Sequence, residues 1–230
     1  MGALEGNLTF TTFYVEGEPP ADFHQDYLNR LNKYFFEPLT PLGEEERSVG
    51  WVPAQDPIAT EFSRDQVFYN QYIVFAMRID KWALPSPWVK AMMRKAIADR
   101  MPEIQAEADK KASEKRAKGE DDSKFLGKAK LSKSEKAKIK LEVTTDLKHK
   151  ILPAMKTIDV AWNIQECKLR FWSTSPAVCE EFAEMFEETF GLALNMDNPY
   201  LMAQHLGLDE KQLADMVDAE PWIPAYDEEK

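Results

Sequence analysis

Residues 66–97 read QVFYNQYIVFAMRIDKWALPSPWVKAMMRKAI, and this stretch decides the fold class. Its first part, residues 66–79, is dense in aromatic and β-branched residues. That is strand chemistry, long enough for one strand or a hairpin. Ser86-Pro87 then starts a helix, because serine is a good N-cap and proline fits the first helical position. Val89, Met92, Met93, Ala96 and Ile97 recur at helical spacing and form its apolar face. Strand chemistry thus gives way to a long charged helix.

Toward the C-terminus, Pro102 is expected to kink or end that helix, since it removes one hydrogen bond and clashes with the preceding turn. Residues 103–130 are rich in Ala, Lys and Glu and are interrupted by Gly119 and Gly127, which suits an exposed helix leading to a tip. A second long helix starts at Ser132, where Ser132 and Glu135 have capping-box spacing; Pro153 follows near its end. Residues 157–164 and 168–174 alternate apolar and polar around a break at 165–167, a hairpin pattern. Ser175-Pro176 begins another helix, with Val178, Phe182, Met185, Phe186 and Phe190 inward and Gly191 at C′. Residues 195–230 are acidic, with a short amphipathic piece near 208–217, and read as an appendage or tail.

Toward the N-terminus, residues 7–15 (NLTFTTFYV) read as a strand broken by Pro19-Pro20. Phe23, Tyr27, Leu28, Leu31 and Phe35 mark a helix over 21–36, ended by Pro38, Pro41 and Gly43. Gly50-Trp51-Val52-Pro53 reads as a tight apolar turn. The sum is an α+β fold, with antiparallel sheets, covering helices and a projecting charged helical arm. Residues 1–84 and 157–194 form the expected body, 85–156 the arm and 195–230 an acidic end.

The chain of 230 residues carries a formal charge of −11, but the charge is segregated. Residues 109–156 hold 15 Lys/Arg against 8 Asp/Glu, and residues 180–230 hold 14 acidic residues against 2 basic. Screening confines each patch to about 10 Å at moderate salt, so the two must be read separately. The two cysteines, Cys167 and Cys179, make no disulfide framework and are read as packed thiols of a reducing compartment. No apolar run reaches the ~18 residues needed to cross a bilayer. Residues 1–20 lack a basic segment followed by an apolar one, so a cytoplasmic location is expected.

The basic middle is where chemistry is expected. Lys133, Lys136, Lys140 and Lys148 fall on one stripe of the second arm helix. Lys110, Lys111, Lys115, Arg116 and Lys118 supply a second stripe on the first. Lys90 and Arg94 near that helix's start, and Lys124, Lys128 and Lys130 near the tip, complete the candidate DNA-contacting set. Phosphates need positive charge along a face and no base-reading geometry. From composition alone, such a run is more often a solvated face. Trp82 and Trp88 flank the helix start and could stack on single strands, but core packing is the commoner role for both.

Enzyme chemistry finds little support. Asp159, Glu166 and Lys168 loosely echo the Asp…Glu-x-Lys set of metal-dependent nucleases, but Glu-x-Lys is common by chance. His24, His149 and His205 are far apart and lack zinc spacing. No phosphate-cradling GxxxxGK[ST] occurs, and no serine or cysteine has a recognisable nucleophile context. No metal, cofactor or catalytic group is therefore assigned.

Several short motifs occur in an informative order. Gly50-Trp51-Val52-Pro53 resembles the GWVP motif of the RdgC family of recombination-associated proteins. Leu84-Pro85-Ser86-Pro87-Trp88-Val89-Lys90 resembles that family's LPSxVxK helix start. His149-Lys150-Ile151-Leu152-Pro153 is similar to the end of its long charged helix, and Asn195-Met196-Asp197-Asn198-Pro199 to a later segment. The likeness covers roughly residues 1–200. It implies a body, a helical tip and a base, with subunits meeting as a ring around DNA. It also implies binding of duplex and single strands without sequence specificity, and restriction of a RecA-type recombinase indirectly, through shared DNA. The base is shortened here, and the tip lacks the aromatic that often follows the family's Leu-Leu-Pro segment, reading Pro153-Ala154-Met155-Lys156.

The expectation is a nucleoid-located, self-associating DNA-binding protein that modulates homologous recombination by occupying DNA. Phe125 and Leu126, an apolar pair near the tip, are the expected oligomer contact. The alternative is an acidic interaction protein or inhibitor. In that reading Glu180, Glu181, Glu184, Glu187 and Glu188 imitate phosphates and bind a recombination or nuclease protein directly.

Overall fold

The computed structural model describes residues 3, 9–17, 19–20, 22–117 and 131–219. The fold is α+β, with helices and a curled antiparallel sheet. In chain order the elements are β1 (Thr11–Glu16), α1 (Phe23–Lys33), β2 (Arg47–Val52), α2 (Arg64–Val67), β3 (Phe68–Tyr69) and β4 (Tyr72–Lys81). Next come α3 (Ser86–Ala117), α4 (Lys133–Lys148), β5 (Ala154–Asn163), β6 (Lys168–Phe171), α5 (Pro176–Phe190), β7 (Ala193–Met196), α6 (Pro199–His205) and α7 (Glu210–Val217). The sheet order is β2-β4-β5-β6-β1-β7, with β3 paired to β4. The chain divides into two compact units, Met1–Phe36 with Gly50–Arg78 and Thr157–Lys230, and Glu37–Val49 with Ile79–Lys156.

In the first unit, β6 lies between β5 and β1, pairing Leu169 with Trp162 on one side and with Phe13 on the other. All three side chains are buried, as the two-residue period of a strand requires for one shared face. α5 supplies the facing layer. Its phenylalanines at i, i+4 and i+8, Phe182, Phe186 and Phe190, are all buried. Phe182 stacks on Phe171 at 4.0 Å, and Phe186 meets Trp162 edge-on at 5.2 Å. α1 adds Tyr27, stacked on Trp162 at 5.3 Å and edge-on to Phe190 at 5.1 Å. The helix ends at Gly191, in the left-handed region at φ 70°, where a glycine carries no steric penalty. Arg30 Nη1 donates to the Phe190 carbonyl at 2.7 Å, satisfying one of the last acceptors of α5.

The GWVP segment is not a turn. Gly50, Trp51 and Val52 end strand β2, and Trp51 forms a parallel bridge with Phe35. The Trp51 N–H donates to the Tyr34 carbonyl at 3.1 Å, and the Phe36 N–H to the Trp51 carbonyl at 3.0 Å. Glycine at position 50 serves close backbone approach rather than a reversal. Trp51 is fully buried, and its Nε1 donates to Thr189 Oγ1 at 2.8 Å.

The 66–79 stretch resolves as a hairpin, β3 against β4, turning at Asn70 with φ 54°. The hairpin expected over 157–174 is formed by β5 and β6. Asn163 Oδ1 accepts from the N–H groups of Gln165 and Glu166, and Cys167 takes φ 50° to close the turn. The segment from 195 onward is less separate than its composition suggests. Met196 pairs with Phe13 and Asn195 with Tyr14, so β7 completes the sheet edge. Two short helices follow, of which α7 matches the amphipathic piece expected near 208–217.

Candidate nucleic-acid surface

The second unit holds the charged helix pair. α3 runs unbroken as helix from Ser86 through Pro102 to Ala117, so Pro102 does not end it. Pro102 and Ala98, whose carbonyl loses its donor there, are both exposed, so water can replace the missing bond. Nor is Ser86 the cap. It already lies within the helix, and the Pro85 carbonyl accepts from Val89 at 3.1 Å. α4 begins as expected: Ser132 Oγ accepts from the Glu135 N–H at 3.2 Å, and the Ser132 N–H donates to Glu135 Oε2 at 2.7 Å.

The two helices pack through one apolar seam. Ile139, Val143 and Leu147 of α4 are buried against a cluster that includes Val89, Met92, Met93, Ala96 and Ile97 of α3. These are the positions whose helical spacing marks the apolar face of α3 in the sequence. Arg100 and Glu142 add an ion pair between the helices; both ends are substantially exposed, so it contributes little.

Fixing that seam decides where the lysines stand. Lys133, Lys136 and Lys140 fall within about 60° of arc on α4, and all three are exposed. Among the described residues none of them forms an ion pair. Lys148 is different. It is partly buried, with its Nζ 5.7 Å from the Trp82 ring centre, a cation–π arrangement. Lys140 and Lys148 also line a groove of about 720 Å³ with Leu42, Trp82 and Leu141. Glu44 and Glu46 line it too, so the groove carries both signs; of the lysine row only Lys140 borders it, and Lys133 and Lys136 are not among its lining residues.

On α3, Lys90, Arg94 and Lys110 are exposed. Lys111, Lys115 and Arg116 lie on the helix, but their side chains fall outside the described set. Lys118, Lys124, Lys128 and Lys130 lie outside the described residues, as do Phe125 and Leu126, the expected oligomer contact. The two tryptophans part company. Trp82 is buried, matching core packing, but Trp88 is 62% exposed in the first turn of α3. Core packing is therefore wrong for Trp88. A helical wheel carries the hint, since Trp88 falls beside the Val89–Met93–Ile97 stripe rather than within it. Leu42 and Leu141, exposed at the groove, have no comparable signature in the sequence.

The nuclease-like residues are not gathered. Asp159 sits on β5, opposite the start of the segment after β6, whereas Glu166 and Lys168 lie at the hairpin's other end. At the rise of a strand, the separation from Asp159 to the turn is roughly 15 Å. Asp159 is engaged locally, accepting from the Ala3 N–H at 2.8 Å. Burial raises its pKa, and the Ala3 hydrogen bond offsets part of that rise. Among the described residues no group of three His, Cys, Asp or Glu could hold a metal ion. His24 stacks on Phe23 and His205 on Tyr14, while His149 caps α4. Cys179 is buried and Cys167 half-buried.

The acidic row on α5 is real as a surface. Glu180, Glu184, Glu187 and Glu188 are exposed and Glu181 half-exposed, opposite the buried phenylalanines. No described helix is long and apolar enough to cross a membrane. Compared with known proteins, the chain matches no family model and none of the curated proteins.

Proposed function

We propose that this protein binds DNA without sequence specificity through the basic surface of α3 and α4. It would self-associate there as a ring or clamp and modulate homologous recombination by restricting access to DNA in the nucleoid. The observation that carries the reading is the free row Lys133, Lys136 and Lys140. Three exposed ammonium groups share one helix face, without an ion pair among the described residues, on a helix whose other face is fixed by burial. Such a row has the chemistry to displace condensed counterions from a phosphate backbone. The ordered motifs resembling the RdgC family support the same reading and supply its biological setting. Fluorescence anisotropy with a random-sequence duplex at several salt concentrations tests it. Binding must weaken steeply as salt rises and must not depend on base sequence.

A second reading rests on α5, whose exposed glutamates form a one-signed surface above a rigid aromatic core. That surface has the charge to occupy a DNA-binding protein in place of DNA. Failure to bind duplex at low salt, together with capture of a basic recombination or nuclease protein, would favour it.

A further inference from the structure

The groove of about 720 Å³ lies wholly within the second unit, and its size is that of a ligand cleft. One wall is α4, where Lys140, Leu141, Thr144 and Lys148 fall within about 100° of arc, beside the buried seam. The other wall is the 41–46 segment, with Leu42, Glu44 and Glu46. Trp82 joins the two. Its backbone N–H donates to the Glu46 carbonyl at 3.0 Å, and Lys148 Nζ stands 5.7 Å from its ring centre. Leu42 is 79% exposed and Leu141 69% exposed, so each wall leaves a leucine in water at the same cleft. Lysines line one wall and glutamates the other, yet none of Lys140, Lys148, Glu44 and Glu46 forms an ion pair among the described residues.

The charges select the occupant. A polyanion that reached the two lysines would be repelled by Glu44 and Glu46, and a fatty acid would leave both glutamates unmatched. A ligand with one charge of each sign on an apolar body matches both walls, its anion on the lysines, its cation on the glutamates and its apolar part between Leu42 and Leu141. A short apolar peptide with free termini has that chemistry. Lys140 and Lys148 are about 12 Å apart along the helix axis. An extended chain advances roughly 3.3–3.6 Å per residue, so about three or four residues run that length. Peptide amides also suit the α4 wall, where Thr144 Oγ1 donates to the Leu141 carbonyl at 2.9 Å and keeps its lone pairs for an N–H. A lipid tail offers no such donor. We propose that this groove binds short apolar peptides by both termini, the carboxylate toward Lys140 and Lys148 and the ammonium toward Glu44 and Glu46. The inference goes beyond the DNA-binding reading and shares only Lys140 with it.

The experiment titrates the full chain with the tripeptide Leu-Leu-Leu in a calorimeter, without DNA, and then with its N-acetylated, C-amidated and doubly blocked forms. The free tripeptide is expected to bind, and blocking either terminus to weaken it by about fivefold, the upper range for a solvent-exposed charge pair. Lys140→Gln with Lys148→Gln should weaken the free peptide by a similar factor but leave the amidated form unchanged. Glu44→Gln with Glu46→Gln should do the same for the acetylated form. Leu141→Asp should weaken every form. No binding of the free tripeptide overturns the proposal, and so does equal affinity for the free and doubly blocked forms, a comparison that needs no variant. Losses that do not match wall to terminus, or a Leu141→Asp protein that is folded by circular dichroism and binds as the parent does, overturn it as well. Duplex binding measured separately keeps the two readings apart. A chain that binds duplex through the lysine row and ignores the peptide loses only this inference, and one that binds the peptide but no duplex loses only the DNA-binding reading.

Discussion

A Cβ atom at Gly50 would stand 2.3 Å from the Cα of Phe36, and 2.7 Å from its nitrogen. Both are backbone atoms, held by the reciprocal bonds between Trp51 and the Tyr34–Phe36 segment, so neither can swing aside. Gly50→Ala must therefore push the bridge apart. A cost of about 2 kcal/mol is expected, which for a chain of this size lowers the melting midpoint by roughly 4–8 °C. Thermal denaturation followed by circular dichroism checks this; an unchanged midpoint would mean the bridge is slack.

The Trp51–Thr189 hydrogen bond should respond asymmetrically to loss of either partner. Thr189 Oγ1 accepts from Trp51 and also donates to the Met185 carbonyl at 2.7 Å. Thr189→Val leaves the Trp51 Nε1–H buried without an acceptor, at a cost of about 1–3 kcal/mol. In Trp51→Phe the threonine keeps its own acceptor, and the loss is one of ring volume. Adding Thr189→Val to Trp51→Phe should then cost much less than Thr189→Val alone. Denaturant unfolding of the four proteins measures the coupling, and additive losses would contradict this account.

How far the sequence revealed this arrangement depends on the range of the cause. The α5 phenylalanines, the Ser132–Glu135 cap and the apolar stripe of α3 are local periodic signals, and each forms as its spacing implies. Gly50 misleads because glycine suggests a turn, whereas its reason is the backbone of Phe36, distant in sequence. Strand β7 is hidden for a related reason: its four residues gain their structure by pairing with β1, far along the chain. Pro102 misleads because its penalty is real but is borne on an exposed helix face. At the candidate surface the lysine row was legible from helical spacing alone. The special position of Lys148 was not, since it depends on Trp82 lying beneath it.

Asp159 should make stability depend on pH in the sense opposite to that of a salt-bridged carboxylate. Burial raises its folded pKa above the unfolded value of 3.8, against the lowering effect of the Ala3 hydrogen bond. In the window between those two values the native state holds more protons than the unfolded one, so stability falls as pH rises through it. Above the window the penalty is fully present, and below pH 3.8 it is absent. Asp159→Asn keeps an acceptor for the Ala3 N–H and removes the charge. The variant should be more stable than the parent at pH 7, and the advantage should shrink toward pH 4. Urea unfolding at the two pH values decides this; an advantage that grows on acidification reverses the sign and defeats the assignment.

The lysine row makes the most quantitative demand. Each phosphate neutralised on a duplex contributes about 0.9 to the slope of log affinity against log salt. Lys133, Lys136 and Lys140 share a face, are exposed and have no ion pair among the described residues, so each is free to take one phosphate. Changing all three to Gln should lower duplex affinity at low salt and reduce the magnitude of that slope by about 2.7, three contacts' worth. Changing them to Glu should lower affinity further, because each site would then repel the backbone. The seam through Ile139, Val143 and Leu147 is untouched by either set, so helix content and melting midpoint should stay close to the parent's. That separation matters, because a variant that unfolded the pair would also lose binding. If the Gln variant folds normally and binds duplex with the parental slope, the phosphates lie elsewhere. The exposed cations of α3, beginning with Lys90 and Arg94, would then be the next row to neutralise.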